Sequence, residues 1–159
     1  MLKMPSAFER PWDWSRVFRN TSTSCVRSDR LYRGGALKVS DIMNRNVITC
    51  YPHEKLPVIM NKFELFHITG MPVVEKGLLV GIISATDVLK VARSGGIEDV
   101  AVEDVMTREV ASVQKTDSAV SAAKIMVEKG INRLPVVENR RVIGIVTRDD
   151  IIKAVAICE

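Results

Sequence analysis

A chain of 159 residues, 47% hydrophobic and 26% charged, has the length and make-up of one globular domain with an appendage. No apolar run approaches the roughly 20 residues needed to span a bilayer. The formal charge of +4 is unevenly held: residues 1–38 carry eight Lys/Arg against three Asp/Glu, and residues 39–159 carry fifteen against sixteen. A nearly neutral body argues against a nucleic-acid surface over the folded part.

Residues 1–37 form a basic, aromatic leader. Phe8, Trp12, Trp14, Phe18 and Tyr32 interleave with Arg10, Arg16, Arg19, Arg27, Arg30 and Arg33, and Gly34-Gly35 reads as a hinge. Three readings stand beside one another. The leader is an arm packing its tryptophans on the body or on a dimer mate, a disordered tail, or an aromatic-basic surface for nucleic acid or a partner protein. Two tryptophans and early acids make it a poor transit peptide.

From Val39 a pattern begins that returns 63 residues later without a gap, so that 39–92 matches 102–155 with fourteen identities. Val39-Ser-Asp41-Ile-Met43 returns as Val102-Glu-Asp104-Val-Met106, and Met71-Pro72-Val73-Val74-Glu75 as Leu134-Pro135-Val136-Val137-Glu138. Gly81-Ile-Ile-Ser84-Ala-Thr-Asp87 returns as Gly144-Ile-Val-Thr147-Arg-Asp-Asp150. A repeat of this length is one supersecondary unit used twice, with repeat boundaries near 38–96 and 97–159. Paired halves also create a cleft suited to a small ligand.

Within the first copy, Pro57 falls in the opening turn of a helix, where its missing N–H costs little. That helix is expected to end less sharply than its sister, because His67 stands where the second copy has Gly130. Cys50 reads as a small buried apolar residue. Cys25, Cys50 and Cys158 are odd in number and never in a Cys-x-x-Cys pair, and with His53 and His67 they assemble no zinc set. A reducing, cytoplasmic setting follows.

The second copy reads more cleanly. Val110-Ala-Ser112-Val113 predicts a short strand. Asp117 and Ser118 offer cap oxygens, and Ala119, Ala122, Ala123, Met126 and Val127 lie on one helical face that Gly130 ends. Two β-branched runs either side of Glu138-Asn-Arg-Arg141 predict a hairpin. A last helix places Ile151, Ile152, Val155 and Ala156 on one face. The order is strand, helix, strand, strand, helix. Near-continuous apolar runs after each proline predict strands covered on both faces, by helices and by the sister repeat.

This sequence resembles a tandem pair of cystathionine-β-synthase (CBS) domains, a Bateman module, over about three quarters of its length. The resemblance rests on the Asp-h-Met openings, the Pro-Val-Val strands and the two Gly-h-h-[Ser/Thr]-x-x-Asp ends, in order and twice. It implies an α/β fold of two pseudo-symmetric β-α-β-β-α repeats packed through their sheets, homodimeric pairing into a disc, and no chemistry of its own. It also implies clefts for AMP, ADP, ATP or S-adenosylmethionine, with no obligatory cofactor.

Asp87 and Asp150 follow a strand by a few residues and should stand near a helix N-terminus, where an acceptor-only carboxylate suits two ribose hydroxyls. Ser84 and Thr147, three residues earlier, suit a ribose or phosphate oxygen. The same spacing reads equally as a helix-capping signature, and both can hold in part. The resemblance adds Ile68, Met71, Pro72, Ile131, Leu134 and Pro135 as adenine walls, although Ile68 and Ile131 read as well as core. It also adds backbone groups of Val47, Thr49, Val110 and Ser112 for the purine edge.

Asn132-Arg133 matches the family segment that carries basic side chains toward phosphate, and Arg133 is fork-shaped for one. The first copy has Thr69-Gly70 there. Thr86 and Asp149 occupy a position where many members have Arg. Asp149 beside Asp150 repels multiply charged phosphate unless Arg133 or Arg148 offsets it, which favours AMP or an adenosyl compound over ATP. The function expected is a non-catalytic sensor read by an unidentified regulated protein. The alternative is a dimerisation or docking module with empty clefts, or nucleic-acid contact through the leader.

Overall fold

The computed structural model describes residues 37–156, so the leader with its three readings, Cys25 and Cys158 lie outside the described residues. The first repeat comprises α1 (Val39–Ile42), α2 (Leu56–Phe66), β1 (Gly70–Glu75), β2 (Leu78–Ser84) and α3 (Ala85–Ser94). The second comprises α4 (Val102–Val105), α5 (Ala119–Lys129), β3 (Arg133–Glu138), β4 (Arg141–Thr147) and α6 (Arg148–Ala156). The α/β architecture is the expected one, with two antiparallel hairpins, β1–β2 and β3–β4.

Each hairpin turns on two consecutive left-handed residues, Lys76-Gly77 (φ 50° and 79°) and Asn139-Arg140 (φ 50° and 63°). This is the turn whose twist matches that of paired strands. Both hairpins also slip register at the same place, between Val73 and Val74 and between Val136 and Val137. A bulge there bends each strand alike.

The predicted leading strands shrink to single residues. Cys50 alone bridges β1 in parallel, at Val73, and Val113 alone bridges β3, at Val136. Cys50 N–H donates to the Pro72 carbonyl (3.1 Å) and Val113 N–H to the Pro135 carbonyl (3.0 Å). The short helices α1 and α4 are additions that the periodicity did not predict.

The two openings are exchanged. Val39 and Met43 enter the core of the second repeat, with Val113, Ala122, Met126, Leu134, Val136 and Val146. Val102 and Met106 enter the core of the first, with Cys50, Leu56, Ile59, Met71, Val73, Ile83 and Val88. Backbone pairs fix the exchange: Asn44 with Ile145 (2.8 and 2.9 Å) and Thr107 with Ile82 (2.9 Å in each direction). Each methionine lies over a mid-strand glycine. A Cβ on Gly144 would meet Met43 Sδ at 2.7 Å, and one on Gly81 would meet Met106 Sδ at 2.5 Å. Glycine in a strand commonly marks such a close approach.

The exchange extends to helix caps. Leu56 N–H at the start of α2 donates to Val100 O (3.0 Å), and Ala119 N–H at the start of α5 donates to Leu37 O (2.7 Å). Each repeat's lead-in thus satisfies an otherwise unpaired donor of the other's helix.

Three expectations need correction. The helix α2 ends as sharply as α5: both run 11 residues, and His67 takes the left-handed conformation (φ 52°) that Gly130 takes (φ 63°). Val127 does not join the buried face of α5 and is 75% exposed. On α6 only Ile151 packs against a core, while Ile152 and Val155 are 58% and 63% exposed.

Candidate ligand rims at the helix starts

Cross-strand register brings Gly70 opposite Ser84 and Arg133 opposite Thr147, so the strand ends and the first turns of α3 and α6 meet. Ala85 N–H donates to Thr69 O and Arg148 N–H to Asn132 O, each at 2.9 Å, tying each helix start to the strand beside it. Two matching rims result.

At the first rim Asp87 Oδ2 accepts from Ser84 N–H (2.9 Å) and from Ser84 Oγ (2.7 Å), while Asp87 N–H donates to Ser84 Oγ (3.4 Å). At the second, Asp150 Oδ2 accepts from Thr147 N–H (2.8 Å) and Oγ1 (2.6 Å), and Asp150 N–H donates to Thr147 Oγ1 (3.2 Å). These are capping boxes, so the capping reading holds at both rims. It does not exclude the other. Every bond that these carboxylates accept uses Oδ2, and Asp87 and Asp150 are half-buried, so Oδ1 of each keeps its acceptor capacity.

Arg133 is the exception to the two-fold pattern. Its guanidinium leaves its own repeat, donates through Nη2 to Thr69 Oγ1, and lies against Gly70, the sister position of Arg133 itself. A Cβ on Gly70 would overlap Nη1 and come within 2.8 Å of Cζ. The ion pairs of the described residues are Lys62–Glu54 and Lys115–Glu138, which leaves Arg133 without a carboxylate partner there. Burial pulls its pKa below the ordinary arginine value, although a guanidinium stays charged in proteins. A half-buried cation lacking a counter-ion is suited to a bound anion.

The remaining predicted residues scatter. Thr86, Arg148 and Asp149 are exposed on the first turns of α3 and α6, and Asn132 is exposed beside Arg133. Ile68 and Ile131 are half-buried and pack on the edges of the two cores. Met71 and Leu134 are 0% exposed and belong to the cores themselves, and Pro72 and Pro135 are buried beside them. Their side chains offer no open wall. Val47, Thr49 and Val110 are half-buried. The Thr49 carbonyl already accepts from Lys62 Nζ (3.3 Å), whose ammonium pairs with Glu54 (2.8 Å).

Exposed Ser112 belongs elsewhere. It lines a cavity of about 590 Å³ at the turn end of β3–β4, with Lys115, Thr116, Glu138, Asn139 and Arg140. There Lys115 and Glu138 neutralise each other at 2.7 Å. That cavity shares only Ser112 with the predicted set, and beside its Lys115–Glu138 pair it holds Arg140, which has no ion pair among the described residues.

Gly70 was not singled out by sequence. The available signal was a lone glycine opening an otherwise apolar strand, opposite an arginine in the sister copy. Cys50 is a free buried thiol, and burial, reinforced by Glu54 and opposed by Lys62, pushes its pKa up to about 12. Such a thiol is inert at neutral pH. No helix among the described residues is long and apolar enough to cross a membrane.

Comparison with known proteins follows the two-fold division. The model of the CBS domain matches twice, at residues 39–94 and 102–157. An uncharacterized protein of Methanocaldococcus jannaschii is 34% identical over 128 residues, covering 72% of this chain and 46% of that protein. The chain thus spans about half the length of several curated relatives it matches. Among solved structures, a CBS domain pair in complex with 5′-methylthioadenosine and S-adenosyl-L-methionine superposes with a TM-score of 0.70 and 30% identity. The match covers 76% of this chain and 97% of that one. CBSX2 in complex with AMP superposes with a TM-score of 0.67 and 26% identity, covering 76% and 96%.

Proposed function

This chain belongs to the CBS domain family, and on that footing we propose that it is a non-catalytic regulatory module that binds an adenosine-containing ligand at the two rims. The observation that carries this reading is the pair of capped carboxylates, Asp87 and Asp150, each holding one oxygen free beside a helix start. A carboxylate oxygen so placed accepts from ribose hydroxyls, and the helix N-terminus and Arg133 favour an anionic end. AMP is the favoured ligand, because Asp149 beside Asp150 penalises a longer phosphate chain. The AMP, 5′-methylthioadenosine and S-adenosylmethionine held by the two similar structures support the ligand class.

Occupancy would shift the balance between arrangements of the two repeats, to the extent that the ligand prefers one of them. A regulated partner protein reads that shift, in the cytoplasm. Apolar residues left on the helices, Leu65 and Leu89 on one side and Val127, Ile152 and Val155 on the other, support pairing with a second copy.

Thermal unfolding with AMP tests the reading. Ligand at a hundredfold excess over Kd adds about 2.7 kcal/mol, so the Tm should rise by several degrees. The Asp87→Ala/Asp150→Ala double variant should lose most of that rise. A Tm unmoved by AMP, adenosine and S-adenosylmethionine leaves the alternative, a dimerisation module with empty clefts.

A further inference from the structure

We infer that the cavity at the turn end of β3–β4 is a binding site in its own right, separate from the two rims, for a small organic carboxylate held by Arg140. Its volume of about 590 Å³ is that of a small-molecule pocket. Half-buried Leu79 and Val137 give it an apolar part, and Ser112, Gln114, Thr116 and Asn139 supply hydroxyl and amide groups. The charged residues of its wall are Lys115, Arg140 and Glu138, one positive charge in excess. That excess matches a single carboxylate, whereas a second anionic charge would meet Glu138. Arg140 offers the carboxylate a planar fork, and no ion pair of the described residues occupies it. Lys115 and Glu138 are each about half exposed, a pair that contributes little and can open to let Lys115 assist.

The sister positions show that the site is not a property of the repeat as such. Pro52 stands there for Lys115, Gly77 for Arg140, and Tyr51 and His53 for Gln114 and Thr116. The turn frame is shared, since Tyr51 N–H donates to Glu54 (3.4 Å) as Gln114 N–H donates to Asp117 (2.8 Å). The Tyr51 and His53 rings stack with centroids 5.9 Å apart, putting aromatic bulk where the second repeat has smaller side chains. Arg140 also takes a left-handed backbone (φ 63°) where the first hairpin has glycine (φ 79°). A side chain is kept there against the preference of that conformation for glycine, as strained residues at binding sites are.

The cavity also spans the seam between the repeats. Leu79 comes from the first repeat and its N–H donates to Arg140 O (2.9 Å), while Ser40 N–H donates to Lys115 O (3.0 Å). Both cationic residues are thus bonded through their backbones to residues of the first repeat. A ligand that prefers one arrangement of the repeats would bias it from here, independently of the rims.

Amide NMR spectra of the full chain, titrated with benzoate and with benzamide as the uncharged shape control, test the assignment. Benzoate should give saturable shifts at Ser112, Gln114, Thr116 and Arg140, extending to Ser40 and Leu79. Benzamide should bind roughly tenfold more weakly or worse, as expected when a charged hydrogen bond is lost. Arg140→Gly, which copies the sister turn, should lower benzoate affinity by a similar factor without lowering the Tm. Gln114→Tyr/Thr116→His, which copies the aromatic pair, should abolish binding. Arg141→Gln, at a neighbouring arginine whose guanidinium lies against Gly77, should leave it unchanged. The Asp87→Ala/Asp150→Ala variant should bind benzoate as the unaltered chain does, so that failure here and failure of the rim reading are told apart. The inference is overturned if benzoate gives no saturable shift at these amides, if Arg140→Gly leaves its affinity unmoved, or if inorganic phosphate or AMP binds there more tightly.

Discussion

In the first repeat Thr69-Gly70 opens β1, and in the second Asn132-Arg133 opens β3, with hairpins, bulges and capping boxes otherwise in step. One repeat supplies an empty seat and the other the group that fills it. Duplication gives two copies the same backbone, and a single Gly-for-Arg difference then creates a contact that neither copy could make with itself. Elsewhere the copies reach one conformation by different means. Gly130 and His67 both end an 11-residue helix in the left-handed region. Ser118 caps α5 with its side chain, while Lys55 gives α2 no side-chain cap.

These differences invite exchange of residues between sister positions. The largest effects should come where the copies are equally packed. Met71→Ala and Leu134→Ala each empty a site that is 0% exposed, and each should cost about 2–5 kcal/mol in denaturant unfolding. A cost confined to one of them would show that the cores are not equivalent.

Next comes Cys50, whose sister is Val113. Its folded pKa lies near 12 against an ordinary 9.0, so only the unfolded chain loses the proton between those values. Stability is then at its full value below pH 9.0 and falls as pH rises toward 12. At pH 10.5 the loss from this group should be on the order of 2 kcal/mol. Cys50→Val, which copies the second repeat, should remove that part of the alkaline loss in a series of melts.

Gly81→Ala and Gly144→Ala test the exchanged openings. Each methyl would press on a methionine of the other repeat, at a cost of about 1–3 kcal/mol. Trimming the facing Met106 or Met43 to Ala in the same chain should make the second change less than additive. Full additivity would place the methionines elsewhere.

The smallest effect should come from His67→Gly. A left-handed non-glycine residue is strained by roughly 1–2 kcal/mol, part of which glycine returns as lost chain entropy. The melt should rise slightly. Gly130→His in the sister helix should lower it.

Much of this was legible in the residues. Polar Glu138-Asn-Arg-Arg141 between β-branched runs located the second hairpin, and the repeat carried the same order to the first. The Ser84-x-x-Asp87 and Thr147-x-x-Asp150 spacings located both capping boxes. What escaped has physical reasons. A repeat at constant offset makes Val39–Met43 and Val102–Met106 interchangeable, so periodicity cannot say which core each opening joins. The Val110–Val113 run has strand-forming residues but lies at a sheet edge, where one parallel bridge is all that forms. Resemblance puts Met71 and Leu134 at the ligand, whereas their burial follows from near-continuous apolar strands, buried through Met71–Val73 and Leu134–Val136. His67 shows tertiary context overriding a local preference. The direction of the Arg133 side chain could not be read from its own repeat, because its partner is a missing side chain 63 positions away.

The most direct test is a crystal structure of the unaltered chain grown with AMP. The account predicts ribose hydroxyls on Oδ1 of Asp87, with the phosphate on the guanidinium of Arg133 over Gly70. Density for the nucleotide in the cavity beside Lys115 and Arg140, with the Asp87 rim bare, would contradict it.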